Sequence, residues 1–144
     1  MIRDSLSLVK DCANVFRESA KRKQKLKELA ADIAVAHGHT DSVTLLALCP
    51  TRWCVRHRST TRLLTLWNVV LSALDELAYE AGRGEVKCKA LGLRKQMAKT
   101  KTFIGVTVCQ TLFGPCEELA KALQAVNTTA TGAMQAANVL LTHL

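Results

Sequence analysis

Leu63-Leu64-Thr65-Leu66-Trp67-Asn68-Val69-Val70-Leu71-Ser72-Ala73-Leu74-Asp75-Glu76-Leu77-Ala78 is the stretch that decides the fold. Leu63, Leu64, Trp67, Val70, Leu71, Leu74, Leu77 and Ala78 recur at steps of three and four, which places them on one face of an α-helix. The pattern predicts a single helix running to about Ala81, where Gly82-Arg83-Gly84 breaks it. Trp67 falls on the apolar stripe and reads as a core residue.

Immediately upstream lies Leu48-Cys49-Pro50-Thr51-Arg52-Trp53, followed by Cys54-Val55-Arg56-His57-Arg58-Ser59-Thr60-Thr61-Arg62. Pro50 fixes its own φ and pushes Cys49 toward an extended backbone, so no helix runs smoothly through this point. Thr51 carries a hydroxyl suited to capping a helix that starts near Arg52 or Trp53. Arg52, Arg56, Arg58 and Arg62 accumulate here with His57 and Trp53, and no acidic side chain lies among them. The junction therefore presents cations and one large ring. Trp53 precedes the periodic pattern, and its alternatives are an exposed contact and a buried anchor for the junction.

The rest of the chain reads the same way. Leu6, Val9, Ala13 and Phe16 mark one helix with Asp4 or Ser5 as its cap, and Leu26, Leu29, Ala30, Ile33 and Ala36 mark a second that Gly38 ends. Lys21, Arg22, Lys23, Lys25 and Lys27 form a basic run, either a solvated helix face or a surface that neutralises phosphates. The histidines in His37-Gly38-His39 are read as an exposed loop. Residues 85–101 form a basic helix with Ala90, Leu93 and Met97 inward. Phe103, Val106, Cys109, Leu112 or Phe113, Cys116, Leu119 and Leu123 keep helical phase across Gly114-Pro115, which kinks or splits that helix. Thr131 is the expected cap of a last helix with Met134, Ala137, Leu140 and Leu141 inside. The expected fold class is all-α, an irregular bundle of about six helices in one domain, 1–144.

Composition narrows the function. Of 144 residues, 49% are hydrophobic but only 4% aromatic, which favours helix-on-helix packing. The net charge of +8 points to a polyanionic partner. No apolar run approaches the roughly 18 residues needed to cross a bilayer, and no signal peptide is visible, so no membrane partner is expected and the chain is read as soluble and intracellular. The six cysteines are then expected as thiols. Cys49, Cys54 and His57 lack a fourth ligand at any common finger spacing, and neither a metal nor a cofactor is expected.

No catalytic residue is expected either. Integrase-type chemistry needs three carboxylates around two metal ions. The acids here, Glu117 and Glu118 included, read mostly as solvating charges on polar helix faces. Asp75 and Glu76 are neighbours and point about 100° apart on a helix, so they cannot clamp one metal together. No nucleophile-elbow, Walker or His-Glu-x-x-His pattern occurs.

Cys49-Pro50-Thr51-Arg52-Trp53 leading into a long amphipathic helix resembles the segment that opens the helical insertion domain of hAT-superfamily transposases, especially their derivatives of the zinc finger MYM-type and general transcription factor-like groups. Residues 4–13 resemble the family's His-Ser-Leu-Asn-Leu-Val helix, although Asp4 stands at the histidine position and Met1 at the preceding Cys or Asp position. Residues 16–29 are similar to a Phe-rich helix leading to Lys-Arg-x-x-x-Leu-Lys. Phe113-Gly114-Pro115 with Glu118-Leu119-Ala120-Lys121-Ala122-Leu123-Gln124 resembles Leu-Gly-Pro-x-x-x-Leu-Ser-Lys-x-Leu-Gln.

The resemblance implies an insertion domain of an RNase H-like transposase without the catalytic triad. Residues 1–36 would be a basic hairpin beside the lost core, 37–50 a linker and 51–144 the insertion region. It assigns Trp53 to handling a flipped base or hairpin at a transposon end, and it implies a nuclear location, with a cytoplasmic one as the alternative. The leading expectation is thus a catalytically inactive module that binds DNA, hairpin or unpaired ends above plain duplex. Its nucleic-acid-binding residues would be Arg52, Trp53, Arg56, Arg58 and Arg62, with Lys21, Arg22, Lys23 and Lys25 as a second patch. The alternatives are a helical interaction or homodimerisation scaffold with no nucleic-acid role, and a transposon relic without function.

Overall fold

The computed structural model describes residues 2–37, 44–48, 54–80, 84–124 and 129–143. Among these residues there are seven α-helices and no strand: α1 Ile2–Arg17, α2 Ala20–His37, α3 Cys54–Thr65, α4 Trp67–Glu80, α5 Glu85–Met97, α6 Thr100–Gln124 and α7 Ala130–His143. The fold is all-α, with seven helices where periodicity counts about six. Arg52 and Trp53 lie outside the described residues, as do Cys49, Pro50, Thr51 and Gly82-Arg83.

The bundle is built around α1, whose Leu8, Val9, Cys12, Ala13, Val15 and Phe16 are all buried. That stripe touches α2, α3, α5 and α6. Leu26 and Ala30 of α2, Val70, Ala73 and Leu74 of α4, Ala90, Leu93 and Met97 of α5, and Val106 of α6 complete one core. Trp67 is in it as expected, 9% exposed, with its ring edge-on to Phe103 at 5.2 Å between centroids. Phe16 is 1% exposed, so truncating it to alanine would cost about 3–5 kcal/mol.

The helix expected from the junction to Ala81 is two helices, divided at Leu66. Helical backbone bonds still straddle the division, from Leu66 N–H to Arg62 O at 3.1 Å and from Val70 N–H to Leu66 O at 2.8 Å. Hydroxyls of α3 bond back to its own backbone upstream of the division. Ser59 donates to Val55 O, Thr60 to Arg56 O and His57 O, and Thr65 to Thr61 O. Such back-bonding competes with the helical ladder and bends helices, and threonine is stiff at χ1 besides. As a result α3 packs on α6, while α4 packs on α5 and α2.

Three further boundaries differ from expectation. The basic helix stops at Met97 rather than Lys101, and a turn at Ala98–Lys99 leads into α6. Conversely, α6 continues through Gly114-Pro115 without splitting. Glycine before proline removes the Cβ that clashes with the pyrrolidine ring, so the pair is tolerated in a helix. The cap of α7 is Thr129, not Thr131: the Thr129 hydroxyl accepts the Gly132 N–H at 3.1 Å. On α7, Met134 and Leu141 are 69% and 72% exposed, so they are not its inner face. That face is Ala136, Val139 and Leu140, which line a groove with Pro115, Leu119 and Ala122 of α6.

Candidate nucleic-acid interface

One face of α3 is polar along its length. Arg58, Thr61, Arg62 and Thr65 stand at steps of three and four, a single helical stripe. Together with His57 and Leu46, these residues line a groove of about 440 Å³. Leu46 belongs to the segment 44–48, which has no regular structure and whose Leu45 is anchored in the core at 3% exposure. The opposite face of α3 buries Ser59, Thr60 and Leu63. Burial of that face turns the arginines outward.

Hydrogen bonds fix the groove wall. His57 donates from Nδ1 to the Gln110 carbonyl at 3.1 Å. The Gln110 amide donates to the Thr61 hydroxyl at 3.1 Å, so the Thr61 proton is not used in that bond. Arg62 has no ion pair among the described residues. Arg58 reaches across to α6, where its Nε lies 3.3 Å from Glu117 Oε1, while the side chain stays 68% exposed. Two guanidiniums and a hydroxyl on one stripe form a donor array suited to phosphate oxygens.

Arg56 is not part of that array. It lies on the other side of α3, 200° round the helix from Arg58 at about 100° per residue, with its guanidinium 5.6 Å from the Phe113 ring centroid. The arginines that are neighbours in sequence thus divide into two sets.

The basic run on α2 meets acids instead. Lys25 Nζ lies 2.6 Å from Glu76 and 2.9 Å from Glu80 on α4. Lys21 lies 3.8 Å from Glu80, and Arg22 lies 3.9 Å from Glu18. Hydrogen bonds to Glu76 and Glu80 raise the Lys25 ammonium above its ordinary range, and the Lys25 hydrogen bond lowers Glu80. Lys23 and Lys27 are exposed and have no ion pair among the described residues. Two of these cations, Lys21 and Lys25, tie α2 to α4.

Glu117 corrects the reading of the acids as surface charges. It is 3% exposed, and its Oε1 is shared by Arg58 Nε and Lys121 Nζ, each at 3.3 Å. Its Oε2 has no hydrogen-bond partner among the described residues. Hydrogen bonds to Glu118 and then Glu117 raise the Lys121 ammonium above its usual range. The clue was in the phase: Val106, Cys109, Phe113 and Glu117 follow each other at steps of three and four, a buried stripe that ends in a carboxylate. His57, Thr61 and Thr65 were likewise missed as groove residues, because their role depends on α6 and segment 44–48 meeting α3.

Other candidate chemistry is dispersed. Asp75 pairs with Arg94 at 2.9 Å, and Glu76 with Lys25, so the adjacent acids serve different helices. Cys12, Cys88, Cys109 and Cys116 are free thiols. Cys12 donates to Met97 Sδ at 3.7 Å, and burial, with Asp11 adding to it, pushes its thiol up to about 12. No cluster of three or more His, Cys, Asp or Glu side chains suited to a metal occurs among the described residues, and no helix is long and apolar enough to cross a membrane. Compared with protein-family models, curated proteins and solved structures, the chain matches none.

Proposed function

We propose that this chain is a catalytically inactive, hAT transposase-derived helical module that binds DNA through the outward face of α3. The observation that carries the reading is the groove along Arg58, Thr61, Arg62 and Thr65. Arg62 and Arg58 would hold phosphates, Thr61 would add a neutral donor, and segment 44–48 would bound the groove on one side. Arg52 and Trp53 immediately precede α3 in sequence, which suits Trp53 to stack on an unpaired base beside the phosphates that α3 holds. Such stacking is worth about 1–3 kcal/mol per base. The net charge of +8 would steer the encounter. A nuclear location follows from this role.

The test is fluorescence anisotropy with a labelled DNA hairpin and a matched duplex. Wild type should prefer the hairpin, and Trp53→Ala should abolish the preference while retaining salt-sensitive binding. An unchanged preference in Trp53→Ala would remove the stacking role.

A second reading is favoured by α7. Among its residues only His143 is titratable, and Met134 and Leu141, which share one face, are 69% and 72% exposed. An interaction or homodimerisation scaffold would use that face. Sedimentation showing a dimer that Leu141→Glu dissociates, without any hairpin preference, would favour it over DNA binding.

A further inference from the structure

We infer that Glu117 is a positioning residue of the α3 groove, an internal anion that holds the Arg58 guanidinium and that a bound phosphate displaces. The inference rests on the groove being a phosphate site and adds the rule by which it engages. Arg62, with no ion pair among the described residues, is the standing contact, and Arg58 is the conditional one.

Geometry and burial give the direction of the effect. Charge-assisted N–H···O bonds of full strength are about 2.7–2.9 Å long, whereas both cations stand 3.3 Å from Glu117 Oε1. Arg58 approaches the carboxylate through Nε, at Oε1, and its side chain is 68% exposed. That exposed side chain borders the groove that it lines with Arg62. Glu117 cannot follow a ligand outward, because it is 3% exposed and fixed to α6. Arg58 can.

When Arg58 turns to a phosphate, Glu117 keeps only Lys121, which Glu118 holds more closely at 2.7 Å. Its Oε2 already lacks a hydrogen-bond partner among the described residues. A buried charge that loses one of two partners is strongly disfavoured, so Glu117 opposes the release of Arg58 and weakens the groove for phosphate. Removing the negative charge should therefore tighten binding. A merely structural Glu117 would weaken it.

The experiment measures Kd for a labelled DNA hairpin at several salt concentrations, with the full chain and with Glu117→Gln, after thermal melts show that both are folded. Glu117→Gln should bind about threefold to tenfold tighter. Its log–log salt slope should match that of the wild type, because Arg58 reaches the same phosphate in both complexes and only the cost of releasing it differs. The gain should vanish in Glu117→Gln/Arg58→Ala and survive in Glu117→Gln/Arg62→Ala. Equal or weaker binding by folded Glu117→Gln overturns the inference and leaves the DNA reading standing, whereas no binding by any variant at low salt overturns both. Should Glu117→Gln not fold, Lys121→Met leaves Arg58 as the sole cation on Glu117 and should bind more weakly. That loss must disappear in the Arg58→Ala background; a loss that persists there overturns the inference.

Discussion

His57 fills the space that the missing side chain of Gly114 leaves: a Cβ at Gly114 would come within 3.3 Å of His57 Cε1 and 3.4 Å of its Nδ1. The same ring donates to the Gln110 carbonyl, one helical turn earlier on α6. The seam between α3 and α6 is thus fastened where the chain carries Gly114-Pro115, and the groove depends on that seam.

The close approach makes the two positions energetically coupled. Gly→Ala inside a helix is ordinarily worth about 0.5–1 kcal/mol in favour of alanine. In the wild-type background the contact with His57 should reverse that sign, and Gly114→Ala should destabilise by about 1 kcal/mol. In a His57→Ala background the new Cβ still meets the Pro115 ring but no longer meets His57, so the loss should be smaller. Urea denaturation of the four proteins in the cycle measures the coupling, and additive effects would mean that His57 moves aside freely.

The cap of α7 is the next point of test. Thr129→Ala removes the acceptor for the Gly132 N–H and should destabilise the helix by about 0.5–2 kcal/mol. Thr131→Ala, within the first turn, should change little. Amide exchange at Gly132 and Ala133 distinguishes them. Faster exchange in Thr131→Ala than in Thr129→Ala would contradict the assignment.

The α2–α4 tie has a pH window. Glu80 is lowered from its ordinary 4.5 by the Lys25 hydrogen bond, so its contribution is present above that value and lost as pH falls through the lower folded one. Lys25 is raised from 10.5, so its contribution is present below that value and lost as pH rises through the higher folded one. The tie should therefore hold between about 4.5 and 10.5. Melting temperature followed from pH 7 toward acid should fall with a component that Glu80→Gln removes. Identical acid profiles for the two proteins would show that the pair contributes nothing at this exposed site.

Thiol reactivity should follow burial. Cys88 is exposed, whereas Cys12 and Cys109 are buried and burial raises both thiols. At mildly alkaline pH, alkylation mapped by mass spectrometry should label Cys88 promptly, and Cys12 and Cys109 only at the rate of opening. Rapid labelling of Cys12 in the folded protein would contradict its place on the buried face of α1.

How much of this was legible in the chain depends on range. The stripes of α1, α4 and α5 were readable because apolar spacing is local, and Trp67 was placed from its phase alone. The division at Leu66 was not, because the apolar period runs through it intact. The cap moved from Thr131 to Thr129 because both threonines suit the role and only backbone geometry chooses. Among the cations, type and sequence proximity could not separate Arg58 and Arg62 from Arg56. Nor could they show that Lys21 and Lys25 face Glu76 and Glu80 across a helix interface. Glu117 is the instructive case: its phase placed it inside, and its charge argued otherwise.

The groove itself is tested most directly by the salt dependence of hairpin binding in Arg62→Ala beside Lys25→Ala. Arg62 has no ion pair among the described residues and Lys25 is held by two carboxylates, so the two substitutions remove equal formal charge from unequal settings. Arg62→Ala should weaken binding about tenfold and flatten the log–log slope by about 0.7–0.9, one phosphate contact. Lys25→Ala should leave the slope unchanged. Equal losses in both would mean that net charge alone drives binding, and the α3 groove would have no special part in it.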